Sequence, residues 1–196
     1  MKQTTEAIVL GLRKHNDKLS VLHVYTKAEG RLNLHVYGAH SKHKVRAAYQ
    51  PLSVVEITYD SQPTRPVSTV STIDPIYLPE QIYGDIRRQT VALFVTEMLM
   101  LTLTHPMQDE RMYEFLVDFV DELNRTDAPE NIHIRFMLRL AEQLGIGSPD
   151  KEMLTEAQSR AQRQQQLRQL CDYYLEHVES FTMPKSLDIL TEVFDG

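Results

Sequence analysis

The chain has 196 residues, of which 42% are apolar, and a formal net charge of −6, so it is long enough for one large or two small domains with a proper core. Its single cysteine, Cys171, excludes an intramolecular disulfide framework and any zinc site built on two or four thiolates, and fits a reducing compartment. The start MKQTTEAIVLGLRKH has no apolar run ahead of a small-residue cleavage site, and the apolar stretch from Val91 to Leu103 is interrupted by Glu97 and shorter than the roughly 18 residues of a membrane span; a soluble cytoplasmic protein is expected.

In chain order, residues 5–76 come as short runs rich in β-branched and aromatic residues: TEAIVLGLR, LSVLHVYT, RLNLHVYGAH, LSVVEITYD and VSTVSTID. Each is the length of a strand, and turn-forming residues separate them: His15 to Lys18, Lys27 to Gly30, the stretch after Gly38, and Ser61 to Pro66. Gly30 is placed to supply the positive φ of a tight hairpin. In the third run Leu32, Leu34 and Val36 alternate with Asn33, His35 and Tyr37, the period of a half-buried strand. Five short strands without a helical crossover predict a five-stranded antiparallel OB-fold barrel over residues 1–78, with an SH3-like barrel as runner-up.

After Asp74-Pro75 and Leu78-Pro79 the period changes, and residues 79–196 read as an all-α domain of about five helices. Met112, Phe115, Leu116, Phe119, Val120 and Leu123 fall at steps of three and four, and Leu167, Leu170, Cys171, Tyr174, Leu175 and Val178 repeat the pattern. Val91 to Leu103, apolar nearly all round, predicts a central helix, and a further helix is expected over 131–144 with Gly145 as its stop. Ser148-Pro149-Asp150 and Ser186 before Leu187-Asp188 have the chemistry of helix starts. The polar stretch from Thr155 to Gln166 is either an exposed part of a helix or a frayed connection.

Charge is divided along the chain. Residues 1–80 hold 10 Lys and Arg against 7 Asp and Glu, a net of +3, whereas the remainder has a net of −9. The cations sit in the predicted connections: Arg13, Lys14 and Lys18 flank the first turn, Lys27 and Arg31 the second, and Lys42, Lys44 and Arg46 fill the third. On a small barrel such clusters can line one groove that tracks a phosphate backbone, with Tyr25, Tyr37 or His35 for base stacking. His40 and His43 lie among three cations and no carboxylate, the wrong surroundings for a divalent metal. No nucleophile elbow, phosphate loop, zinc-protease helix or dinucleotide fingerprint occurs. Neither an enzyme, nor a metal, nor a cofactor is expected.

Several short motifs occur in a fixed order: Glu6-Ala7-Ile8-Val9-Leu10, Asp17-Lys18-Leu19, Tyr25-Thr26 followed by Gly30-Arg31-Leu32, Gly38-Ala39 with Lys42, and Gln50-Pro51-Leu52. In this order they resemble the N-terminal domain of the bacterial recombination mediator family RecO. Glu97-Met98-Leu99, Tyr113 to Leu116, Arg135-Phe136 with Arg139-Leu140 and Leu144-Gly145, and the tail from Lys185 to Phe194 are similar to the family's helical part. The resemblance implies an OB-fold followed by a helical domain and a non-enzymatic role in DNA repair. Such a protein binds and anneals single-stranded DNA, with duplex DNA left open. It works with RecR and with the acidic tail of the single-strand binding protein to load the RecA recombinase. Lys18, Arg31 and Lys42 fall in family-like motifs; Arg13, Lys14, Lys27, Lys44 and Arg46 are added by charge and position alone. Arg135 and Arg139 are the expected partners of the acidic tail. Many family members carry a four-cysteine zinc module, which one cysteine excludes here, and the helical domain is short after Gly147. The alternative reading is an OB-fold adaptor that docks a protein partner and has lost its nucleic-acid groove.

Overall fold

The computed structural model describes residues 2–39, 46–60, 67–147 and 159–195. Its first strands are β1 (Lys2–Lys14), β2 (Leu19–Thr26) and β3 (Gly30–Tyr37), followed by β4 (Val54–Asp60) and β5 (Thr69–Tyr77). They close into a barrel in the order β1-β2-β3-β5-β4, the OB-fold. β1 is long enough to serve two neighbours, pairing with β4 through Lys2 to Ile8 and with β2 through Ala7 to Lys14, with a register shift between Val9 and Gly11. The seam between β3 and β5 is parallel, meeting at His35 and Thr69, so the barrel is mixed where the sequence predicts a purely antiparallel one.

Alternation explains the core. Ala7, Val9, Leu22, Val24, Leu34, Val36, Val55, Ile57 and Tyr59 point inward, joined by Ala48 and Tyr49 from a 3-10 helix (Arg46–Tyr49) that precedes β4. β5 continues through Pro75, beyond the break expected there. Its pairing with β3 is confined to Thr69, so at Pro75 the strand has one free side, where a missing N–H is tolerated.

Two compact units result, and they do not coincide with two stretches of chain. Residues 1–79 and 103–120 form one; residues 80–102 and 121–196 form the other. The helices are α1 (Glu80–Gly84), α2 (Ile86–Thr102), α3 (Glu110–Arg125), α4 (Ile132–Gln143), α5 (Arg160–His177) and α6 (Ser186–Asp195). The stripe from Met112 to Leu123 is buried, as are Leu167, Leu170, Cys171 and Tyr174, but Leu175 is 44% exposed at the margin of its stripe. α2 is the central helix of the second unit and packs against α1, α4 and α6.

Capping fixes the helix ends. Asp85 accepts from the N–H groups of Arg87 and Arg88 at the start of α2, and Asp109 from those of Arg111 and Met112 at the start of α3. α5 begins at a reciprocal Ser159–Gln162 capping box, which makes the second half of the Gln-rich stretch helical; Thr155 to Gln158 and the signal at Ser148 to Asp150 lie outside the described residues. At the end of α4, Gly145 has φ +69°, with its N–H on the Glu142 carbonyl and the Ile146 N–H on the Ala141 carbonyl, a Schellman closure.

Candidate nucleic-acid interface

The strand order decides which loops share an end of the barrel. β1 and β3 run one way and β2 and β4 the other, so the β1–β2 and β3–β4 connections open at one end and the β2–β3 connection at the opposite end. Arg13, Lys14, Lys18 and Arg46 are therefore at the first end, all exposed. Lys42 and Lys44 belong to the same connection as Arg46 but lie outside the described residues, as do His40 and His43.

Local chemistry shapes the first end. Asn16 Oδ1 accepts from the N–H groups of Lys18 and Leu19, folding the β1–β2 turn, and Lys14 Nζ pairs with Asp17 at 2.8 Å. The Gly38 N–H donates to the Lys18 carbonyl at 3.1 Å, tying the exit of β3 to this turn. Arg46 is on the exposed side of the 3-10 helix whose Ala48 and Tyr49 enter the core. Exposed cations on two adjoining connections, each anchored to the barrel, form a rim that meets anions without desolvating a buried charge.

Lys27 and Arg31, also expected on DNA, are at the other end, where each has contacts with the chain after Thr102. Arg31 Nη1 donates to the Leu103 carbonyl at 2.8 Å, and burial pushes its guanidinium pKa down. Lys27 lies 3.6 Å from Glu110 and 6.0 Å from the centroid of the Tyr113 ring. Residues 103–109 cross this end as a strap. Their path passes so close to Gly30 that a Cβ there would stand 2.1 Å from the Met107 carbonyl oxygen, and Gly30 has φ +71° in any case. Tyr25 is 2% exposed and donates to the Asp109 carbonyl at 3.5 Å, its phenol pushed up to about 12 by burial and by Asp109. That corrects its expected part in base stacking. Of the three rings proposed for stacking, Tyr37 is 56% exposed and His35 is half-buried.

An open cavity of about 370 Å³ beside the strap is lined by Thr5, Glu6, Lys27, Glu56, Gln108 and Glu110. Glu6 and Glu56 are cross-strand partners, like charges held opposite each other, and Glu6 accepts from the Tyr113 hydroxyl at 3.4 Å. The strap end is thus acidic and the turn end cationic, a polarity that the sequence does not reveal because both sets of residues alternate along it.

In the helical unit, Arg135 and Arg139 each reach one carboxylate oxygen of Glu122 at 3.1 Å. Glu97 on α2 accepts from the Lys185 and Ser186 N–H groups at 2.9 and 2.8 Å and from the Ser186 hydroxyl at 2.5 Å, so the start of α6 is capped from another helix. Burial alone would raise the Glu97 pKa, but these hydrogen bonds and Lys185 outweigh it and the net shift is downward. His133 is wholly buried between Phe94 and Phe194, and burial, with Arg163 and Arg135 nearby, pushes its pKa down to about 3. Cys171 is buried and its thiol is pushed up to about 12 by burial and Asp172, a core residue without thiolate character. Among the described residues no group of three or more His, Cys, Asp or Glu is placed to hold a metal, and no helix is long and apolar enough to cross a membrane.

A closed five-stranded barrel with a cationic rim, followed in the chain by a helical region, defines an OB-fold protein of the α+β class. Residues 1–79 match the family model described as Recombination protein O N terminal, and residues 83–149 match Recombination protein O C terminal. The chain is 27% identical over 241 residues to DNA repair protein RecO of Porphyromonas gingivalis, covering 97% of this chain and 98% of that one. It is 27% identical over 236 residues to the RecO protein of Flavobacterium johnsoniae, covering 99% and 100%, and 23% identical over 242 residues to that of Bacteroides fragilis, covering 100% of both. The chain belongs to the RecO family, and its function lies in DNA repair and recombination. Alignments of 241 positions against 196 residues mean that these relatives carry internal segments missing here.

Proposed function

We propose that the protein is a non-enzymatic recombination mediator that binds and anneals DNA strands through the turn end of its barrel, with residues 1–78 as the nucleic-acid-binding domain and 79–196 as the helical domain. The observation that carries this reading is the convergence of Arg13, Lys14, Lys18 and Arg46 on one end of an OB-fold, on connections that also include Lys42 and Lys44. Phosphate contacts from these six residues supply most of the affinity, which falls as salt rises because the counterions displaced from the DNA are then released into a more concentrated solution. Lys27 and Arg31 are set apart by their place at the strap end.

In this role the protein loads the RecA recombinase indirectly, with RecR, onto strands coated by the single-strand binding protein, in the cytoplasm at the nucleoid. Arg135 and Arg139 receive the acidic tail of the single-strand binding protein, whose carboxylates compete with Glu122 for the same guanidinium groups. Titration of labelled single-stranded DNA at a low and a high salt concentration tests the reading. Saturable binding that weakens with salt is expected, and no binding at low salt overturns it in favour of the protein-docking adaptor.

A further inference from the structure

The polar stretch from Thr155 to Gln166 has no part in the DNA-binding reading, yet its helical half borders two buried nitrogens that have no partner. Arg163 and Gln164, in the opening turns of α5, line a cleft with His133 on α4, and Leu167, Leu190 and Phe194 contribute apolar wall. Its enclosed volume is about 10 Å³, the space of a single water-sized particle. His133 is 2% exposed, and its Nδ1 is cut off from solvent without a hydrogen-bond partner among the described residues. Arg163 Nε is cut off in the same way. Buried polar groups are ordinarily hydrogen-bonded, and a guanidinium withdrawn from water calls for a countercharge as well.

Charge narrows the occupant. Among the described residues no carboxylate lines the cleft, and Asp188 and Glu192 on α6 are exposed. Arg135, the second cation acting on the His133 ring, is already held by Glu122 at 3.1 Å, whereas Arg163 has no such partner among the described residues. The positive end of the α5 dipole adds to the same field. We infer that this cleft binds a monatomic anion, chloride being the abundant one, between the Nδ1–H of His133 and the Nε–H of Arg163. Both nitrogens then donate, and the ion balances the guanidinium charge. The buried imidazole is uncharged at neutral pH, so the charge of the site comes from Arg163. A polyatomic anion such as phosphate exceeds the space, and a water molecule fits it but leaves the guanidinium without a counterion. The site draws on α4, α5 and α6 together, so occupancy stabilises the packing of this unit.

The test is a series of thermal melts of the full chain in sodium chloride and in sodium fluoride at equal ionic strength, for the wild type and for Arg163→Gln. Strongly hydrated anions such as fluoride stabilise folded proteins generally, so extra stability in chloride reports a site. The wild type should melt about 3–5 °C higher for each tenfold rise in chloride above its Kd. Fluoride should give no such gain, and Arg163→Gln should lose it. NMR of the His133 ring in the wild type, moved from fluoride to chloride, should show a saturable shift, a readout that stands even where Arg163→Gln fails to fold. Equal melting in both salts overturns the anion site and leaves water as the occupant. A chloride gain that survives in Arg163→Gln overturns it too, as does a His133 ring that chloride does not move. No DNA enters the experiment, so its failure leaves the DNA-binding reading untouched.

Discussion

Gly30 carries two constraints at once. Its φ of +71° costs an L-residue about 1–2 kcal/mol, and the Met107 backbone occupies the position of any side chain. Gly30→Ala is expected to destabilise the fold by at least that amount in chemical denaturation, because the strap must also shift. Arg31 makes a parallel case. Its guanidinium is committed to the Leu103 carbonyl, so Arg31→Ala should cost about 1–2 kcal/mol of stability and leave the salt dependence of DNA binding unaltered; a flatter slope would place it on DNA instead. His133 gives a pH signature. With a folded pKa of about 3 against an ordinary 6.5, the unfolded chain binds the proton first as pH falls. Stability is therefore full above about 6.5 and is lost progressively between 6.5 and 3, by up to about 1.4 kcal/mol per pH unit. His133→Phe should flatten that stretch of the stability profile, and an unchanged profile would refute the assignment.

At the scale of elements, α6 is held by a cap that belongs to another helix. Glu97→Gln retains the shape but removes the charged acceptor of the Lys185 and Ser186 N–H groups and the Ser186 hydroxyl, and a loss of about 0.5–2 kcal/mol is expected. Because the folded Glu97 pKa is depressed, this contribution is present above the unfolded carboxylate pKa and lost as pH falls through the folded one. Urea melts of the variant and wild type at neutral and acidic pH should converge as pH falls. The strands were legible because β-branched residues alternate with polar ones, and α3 because its apolar residues recur at three and four. The start of α6 at Ser186 was also legible, although its capping partner was not: Ser186 and Glu97 are far apart in the chain, and only packing unites them. The strap was illegible for a similar reason. Leu103 to Gln108 has no period of its own, and its place is set by Gly30, Arg31 and Tyr25. The cation cluster could be read as residues but not as a site, since sorting Lys27 and Arg31 from Arg13, Lys14 and Lys18 needs the direction of every strand.

For the molecule as a whole, an acidic chain can serve a polyanion because its charge is unevenly distributed. The net of −6 is the sum of +3 over residues 1–80 and −9 beyond, and even the barrel divides again into a cationic turn end and an acidic strap end. Non-specific attraction by total charge is thus weak, and affinity must come from a few local contacts. The most direct measurement is the slope of log affinity against log salt for single-stranded DNA, taken for the wild type, for Lys42→Ala/Lys44→Ala/Arg46→Ala at the turn end, and for Lys27→Ala at the strap end. Loss of three phosphate contacts should flatten the slope of the triple variant by about 2, with Lys27→Ala matching the wild type. An unchanged slope in the triple variant, or a slope altered by Lys27→Ala instead, would contradict DNA binding at the turn end of the barrel.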